Sequence, residues 1–177
     1  MTTRERLVEL LQLDPDPFRA SARAFLAAHD GDPDRVDRGE ALLTDAPVDT
    51  ATLSAHERDL LRRVRILDDA PLGLTVAGPA YEDTPVIYVN RTFRELTGYG
   101  LEDVRGENLR LLQGPDTDPK PVDALGEATE IWEPVTVELL NYRADGTPFT
   151  NRVTLVPHSG ETGRITNWLG VQERVGD

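Results

Sequence analysis

The chain has no cysteine among its 177 residues. That excludes disulfides, thiolate catalysis, cysteine metal sites and any covalent step that needs a sulfur nucleophile. Lysine is almost as scarce: Lys120 is the only one, and the net charge is −13. A field of that sign repels bare nucleic acid and anionic membranes, so neither is expected as a partner. Histidine is limited to His29, His56 and His158, scattered along the chain. With no cysteine to join them, no zinc or haem site is expected. No apolar run approaches the ~18 residues of a membrane span. The charged start, Met1-Thr2-Thr3-Arg4-Glu5-Arg6, lacks the apolar stretch of a signal peptide. These absences point to a soluble cytoplasmic protein. No Ser-His-Asp order, phosphate loop or metal-ligand spacing is legible, so the chain is not expected to be an enzyme.

The length suits one domain of ordinary size plus an extension, with a core that needs no staples. The acidity is spread along the chain rather than confined to a tail. We read it as an adaptation to high salt, where screening removes the self-repulsion; an acidic protein from an arginine-rich proteome is the alternative. A DNA-binding role for residues 1–64 is disfavoured by their thirteen acids against nine arginines.

Residues 1–53 read as a helical extension that caps the domain or pairs two copies. Leu7, Leu10 and Leu11 fall at helical spacing, and Phe18, Ala22, Phe25 and Leu26 mark a second apolar stripe. Asp16-Pro17 and Asp32-Pro33 each place a capping acid before a proline at the first helical position, and a weaker helix covers about 34–43. Ser54-Ala55-His56-Glu57 is a capping box. It opens a connecting helix over 54–69 with Leu60, Leu61, Val64 and Leu67 on its buried side. Residues 70–177 then form a second unit. Its period shifts toward two: short strands at Leu72–Val76 and Val86–Asn90, short helices at Phe93–Thr97, Leu101–Val104 and Asn108–Gln113, and a helix over Pro121–Thr129. Long strands follow at about 134–143, 148–157 and 164–174, with Asp145-Gly146 in the first turn between them. The expectation is α+β: a five-stranded antiparallel sheet with short helices on one face, plus the N-terminal helical extension.

Alternation along the long strands exposes an anomaly. Val135, Val137, Leu139 and Asn141 share a side, as do Phe149, Asn151, Val153 and Leu155. Each set puts an asparagine among residues that should face a core. On the last strand Gln172 shares a side with Gly170, Trp168 and Thr166, and either side qualifies as the inner one, since Ile165, Leu169 and Val171 form the other. A buried amide left unpaired costs about 1–3 kcal/mol per group. Convergent amides therefore suggest a planar polar ligand between sheet and helices. The alternative pairs each amide with a turn or a strand end.

The stretch Gly106-Glu107-Asn108-Leu109-Arg110-Leu111-Leu112-Gln113-Gly114-Pro115-Asp116-Thr117-Asp118-Pro119 resembles the flavin-cradling helix of light-oxygen-voltage (LOV) photosensors, members of the Per-Arnt-Sim (PAS) superfamily, whose pattern reads Gly-Arg-Asn-Cys-Arg-Phe-Leu-Gln-Gly-Pro-x-Thr-Asp-Pro. Thr97-Gly98-Tyr99, the run Asn141–Asn151 and Gly170-Val171-Gln172 resemble further motifs of that family in order and spacing, so the likeness covers about 65–175. The PAS/LOV fold follows as an expectation. Leu109 stands where the family carries its photoactive cysteine.

The resemblance implies roles. Asn108, Gln113, Asn141 and Asn151 would hydrogen-bond the flavin ring edge and ribityl chain, and Arg110 would hold a phosphate. Gln172 would sit beside flavin N5. Val76, Asn90, Leu109, Leu111, Leu139, Val153 and Gly170 would line the pocket, with Trp168 where the family has a phenylalanine. FMN is the first choice of cofactor, with riboflavin or FAD open, because Gly126 falls where many members carry a second phosphate-binding arginine. Thr150 replaces a common tryptophan, a packing change. Without the cysteine, the expected activity is blue-light or redox sensing by flavin photoreduction to the neutral semiquinone, N5 protonation and Gln172 rearrangement. Trp168 is the first candidate electron donor, with Trp132, Tyr88, Tyr99 and Tyr142 as possible relays. The expected output is altered homodimer contacts or a separate signalling partner, since no catalytic module follows the sensor. The alternative is a PAS interaction module without chromophore; a flavin enzyme is a weaker third reading.

Overall fold

Two capping boxes begin the N-terminal helices. Thr2 Oγ1 accepts from Glu5 N (3.1 Å) while the Glu5 carboxylate accepts from Thr2 N (2.6 Å), opening α1 (Thr3–Leu11). Ser54 and Glu57 do the same for α4 (Ala55–Ile66). Each box satisfies amides that a helix start otherwise leaves unpaired. The second helix, α2 (Pro15–Ala28), begins one Asp-Pro step earlier than expected, with Asp14 at the cap and Pro15 in the first turn. The repeat Asp-Pro-Asp-Pro offers two equivalent starts. The earlier one keeps Asp16 in the first turn, where a negative charge suits the helix dipole. The expected helix over 34–43 divides into a 3-10 segment, Pro33–Arg38, capped by Asp32, and α3 (Gly39–Thr44).

The computed structural model describes residues 1–160 and 162–176. Its second half forms strands β1 (Gly73–Ala77), β2 (Val86–Val89), β3 (Val135–Tyr142), β4 (Pro148–Ser159) and β5 (Ile165–Val175). They join in one antiparallel sheet of order β2-β1-β5-β4-β3. Between β2 and β3 lie α5 (Arg91–Thr97), α6 (Leu101–Val104), a 3-10 turn at Leu109–Leu112 and α7 (Pro119–Ile131). Each has a readable boundary. Asn90 caps α5 by accepting from Phe93 N (3.0 Å), and Gly98 ends it at φ +75. Asp118 caps α7 by accepting from Lys120 N (3.0 Å). The turn between β3 and β4 carries Gly146 at φ +87, a conformation that costs glycine nothing.

The sheet is covered on both faces except along β3, where Thr136 and Glu138 are exposed. On the outer face Leu74, Val76, Tyr88, Val156, Leu169 and Val171 pack in one apolar cluster with Leu7, Leu11, Leu60, Leu61 and Val64 of the extension. Fully burying one such leucine contributes about 1.5–3 kcal/mol. Polar ties fix the docking. Arg4 Nη1 donates to Thr154 Oγ1 (3.0 Å) and its Nε lies 3.7 Å from Glu173. Asn167 donates to Glu57 (3.0 Å), and His158 Nδ1 meets His56 Nε2 at 3.1 Å. Buried Arg63 of α4 is held by Asp59, by the carbonyls of Leu11 and Leu13, and by the Phe18 ring at 4.7 Å. Among the described residues no helix is long and apolar enough to cross a membrane. The other face of the sheet meets the short helices across a cavity.

Candidate functional site

The cavity, about 260 Å³, lies between the inner face of β1, β3, β4 and β5 and the layer formed by the 78–85 loop, the 108–113 segment and α7. That volume falls just below the range for small-molecule sites, ~300–1,000 Å³. It suits a ring system better than a whole dinucleotide. Its apolar wall includes Ala77, Leu109, Leu112, Val122, Leu125, Leu139, Val153 and Leu155.

The polar groups are concentrated on the sheet. Asn141, Asn151, Thr75, Gln172 and Trp168 are each 3% exposed or less, and all line the cavity. Asn151 Nδ2 donates to Asn141 Oδ1 (2.9 Å), and Asn141 Nδ2 donates to its neighbour's carbonyl on Leu140 (3.2 Å). Gln172 Nε2 reaches Thr75 Oγ1 only at 3.4 Å. On these residues three atoms have no hydrogen-bond partner among the described residues: Asn151 Oδ1, Gln172 Oε1 and Trp168 Nε1. At about 1–3 kcal/mol each, that is a sizeable fraction of the ~5–15 kcal/mol by which a typical domain is stable. Two acceptors and one donor in one apolar hollow form a complementary surface for a planar heterocycle with N–H and C=O groups.

The mouth is shaped by Asn108. Its Oδ1 accepts from Arg110 N (2.8 Å), starting the 3-10 turn, while its Nδ2 donates to the Asp83 carbonyl (2.9 Å). Arg110 is bidentate to the Asp83 carboxylate, at 2.7 and 2.6 Å. This bond pattern holds the Asp83 carboxyl below its ordinary range, chiefly through the Arg110 hydrogen bonds, and raises Arg110 in turn. Both side chains are more than half exposed, so the pair shapes the mouth rather than stabilising the fold.

Ten of the fourteen expected site residues line the cavity: Asn108, Leu109, Arg110, Gln113, Leu139, Asn141, Asn151, Val153, Trp168 and Gln172. Gly170 lies on the same side of β5; a Cβ there would stand 2.9 Å from Gln172 Nε2. The remaining three are corrections. Val76 points to the outer face, into the cluster with the extension, and its neighbours Thr75 and Ala77 line the cavity instead. Asn90 is a structural amide: besides capping α5 it accepts from Leu74 N (2.8 Å) and donates to Leu67 and Leu72 carbonyls. Leu111 packs against the apolar core, and Leu112 takes the place expected for it. The strand anomaly also resolves: Gln172, Gly170 and Trp168 face inward. Of the proposed relays, Tyr88 is buried on the outer face with its hydroxyl donating to Asp68 (2.6 Å), and Trp132 is exposed. Trp168 is the one aromatic residue in the cavity wall among the described residues. The wall also includes Thr75, Ala77, Ala80, Asp83, Thr84, Leu112, Val122, Leu125, Gly126, Thr129 and Leu155, none of which sequence placed in the site. Val122, Leu125 and Thr129 follow helical spacing on α7 and were findable; Asp83 had no local signal.

A PAS domain family model matches residues 73–173. The chain is 43% identical over 106 residues to blue-light-activated histidine kinase 1 of Erythrobacter litoralis, a match covering 60% of this chain and 29% of that protein. It is 34% identical over 140 residues to the bacterioopsin transcriptional activator of Halobacterium salinarum, covering 76% of this chain and 19% of that protein. The chain thus spans less than a third of either relative. Among solved structures, the LOV domain of an Erythrobacter litoralis blue-light-activated histidine kinase superposes with a TM-score of 0.57 at 39% identity, covering 60% of this chain and 98% of that one.

Proposed function

We propose, since this chain belongs to the PAS domain family and carries a LOV domain without the reactive cysteine, that it binds a flavin and reports blue light. The observation that carries this reading is the trio of buried, unpartnered atoms, Asn151 Oδ1, Gln172 Oε1 and Trp168 Nε1, on residues that line the same cavity as Leu109. FMN is the first choice, with riboflavin also admitted and FAD only with its adenylate outside the cavity. Asn141 and Asn151 would hold the polar ring edge, and Asn108 and Gln113 the chain leaving through the mouth. The apolar wall excludes water from the ring. A bound flavin supplies blue-light absorption and, once excited, a strong one-electron oxidant.

Leu109 offers no sulfur, so the covalent flavin–thiol route is closed to this chain. Photoreduction would remain open, and the Trp168 indole in the cavity wall would be placed to give an electron. Gln172 would hold the ring beside it, since its amide can turn either an accepting oxygen or a donating nitrogen toward the cavity. Its tie to Thr75 is long enough to yield. The next residue, Glu173, faces the opposite way and meets Arg4 and Arg152. A rearrangement at Gln172 therefore has a short path through β5 to α1. We take the output to be a change in self-association or in docking to a separate signalling partner, with redox state as the alternative trigger. The net charge of −13 suits work in high salt.

The test is the absorption spectrum of purified protein. A structured flavin band that blue light plus reductant bleaches, with no thiol-adduct form, is the expected result. Protein that stays colourless after refolding with flavin contradicts the reading. Light-scattering in light and dark then reads the proposed change in association.

A further inference from the structure

We propose that this site does not read the flavin's phosphate and takes riboflavin and FMN with closely similar affinity, because Asp83 already engages the one cation at the mouth. The inference rests on the flavin reading above and narrows it. Among the described residues lining the cavity only Arg110 and Asp83 carry charge. They are joined by two charge-assisted bonds, the geometry a phosphate would need from the same guanidinium.

Asp83 is not a chance visitor. Its backbone sits in the left-handed region at φ +67, and Thr84 beside it at φ +49. Its carbonyl and carboxylate both accept from Asn108 Nδ2, at 2.9 and 3.3 Å. The loop is thus shaped to hold a carboxylate against Arg110. An incoming phosphate must expel that carboxylate or settle beside it, and either course offsets much of what the guanidinium would otherwise offer.

Among the described residues lining the cavity no second cation compensates. Gly126, on the α7 wall of the cavity, has no side chain, and a Cβ there would meet nothing within 4 Å. Its helix neighbours Asp123, Glu127 and Glu130 add negative charge, while Lys120 stands at the far, N-terminal end of α7 and does not line the cavity.

The experiment titrates the full chain, freed of copurified flavin, with riboflavin and with FMN, following flavin fluorescence. The expected wild-type affinities agree within about threefold, less than one good neutral hydrogen bond supplies. Asp83→Asn then releases the guanidinium. Asparagine tolerates the left-handed backbone and keeps an acceptor for Asn108. In this variant the preference for FMN over riboflavin should rise to about tenfold or more, the worth of one charge-assisted bond. That preference should shrink as salt is added. A wild-type preference for FMN of about tenfold or more overturns the inference and needs no variant to do so. A preference unchanged by Asp83→Asn in folded protein overturns it too. If neither flavin binds, the flavin reading itself fails, an outcome distinct from both.

Discussion

Gly170→Ala puts a methyl at the point where the sheet meets the cavity. Gly170 lies opposite Thr75 on β1 and Leu155 on β4. A Cβ there would collide with Thr75 Oγ1 and stand 2.9 Å from Gln172 Nε2 and 3.3 Å from Leu155 Cδ2. Thr75 cannot easily swing aside, because a β-branched side chain has few χ1 choices and rotation brings its own methyl inward. Gln172 must move, and its long bond to Thr75 is lost. Overpacking of this kind costs about 1–3 kcal/mol. In a chain of this size that lowers Tm by roughly 2–12 °C, at about 2–4 °C per kcal/mol. If Gln172 also grips the flavin, its displacement removes about one neutral hydrogen bond, a roughly three- to tenfold weakening. Thermal denaturation of the flavin-free protein and a flavin titration measure the two effects separately. Thr75→Ser in the same background should recover part of both, since serine rotates without a methyl to place. A Gly170→Ala protein that melts with the wild type and binds flavin as tightly refutes the assigned inner face of β5.

Leu109→Cys should confer adduct-type photobleaching that recovers in darkness; an unchanged photocycle in the flavin-loaded variant contradicts the placement of the ring against Leu109. Gly126→Ala, in the interior of α7 with free space around the new Cβ, should raise Tm by about 1–4 °C, the helix-propensity gain of roughly 0.5–1 kcal/mol; a lower Tm would show the α7 wall to be tighter than described. His158 is held below its ordinary pKa by burial first, then by His56 and Arg63. The unfolded chain therefore binds its proton more readily, and stability present above about pH 6.5 falls as the solution is acidified. His158→Gln should flatten the loss of Tm between about pH 7.5 and 5.5; an equally steep loss in the variant rules His158 out as its source.

Much of this arrangement was legible because local chemistry and tertiary packing agree. The Ser54 capping box, the Asn108 turn and the three long strands each carry their own signal, and the amides at 141 and 151 betray an interior that is not purely apolar. The misreadings fall where a local pattern admits two answers. In β1 all five residues are buried, because helices cover both faces, so alternation could not say whether Val76 or Thr75 looked inward. The same ambiguity left Gln172 undecided until β5 was placed between β1 and β4. Asn90 sits in a motif position that suits a ligand equally well, yet its four hydrogen-bonding contacts all go to backbone. Asp83 stands 27 residues from Arg110, and its role emerges only once the chain has folded the two loops together.

The leucine-rich helices that cover the outer sheet face belong to the same cluster as the strands beneath them. A fragment cut before residue 70 would consequently bare an oily wall of Leu74, Val76, Tyr88, Leu169 and Val171 to water. Such a piece would aggregate or pair with itself through that wall, so a sensor trimmed to its family boundaries would misreport the assembly state of the intact chain.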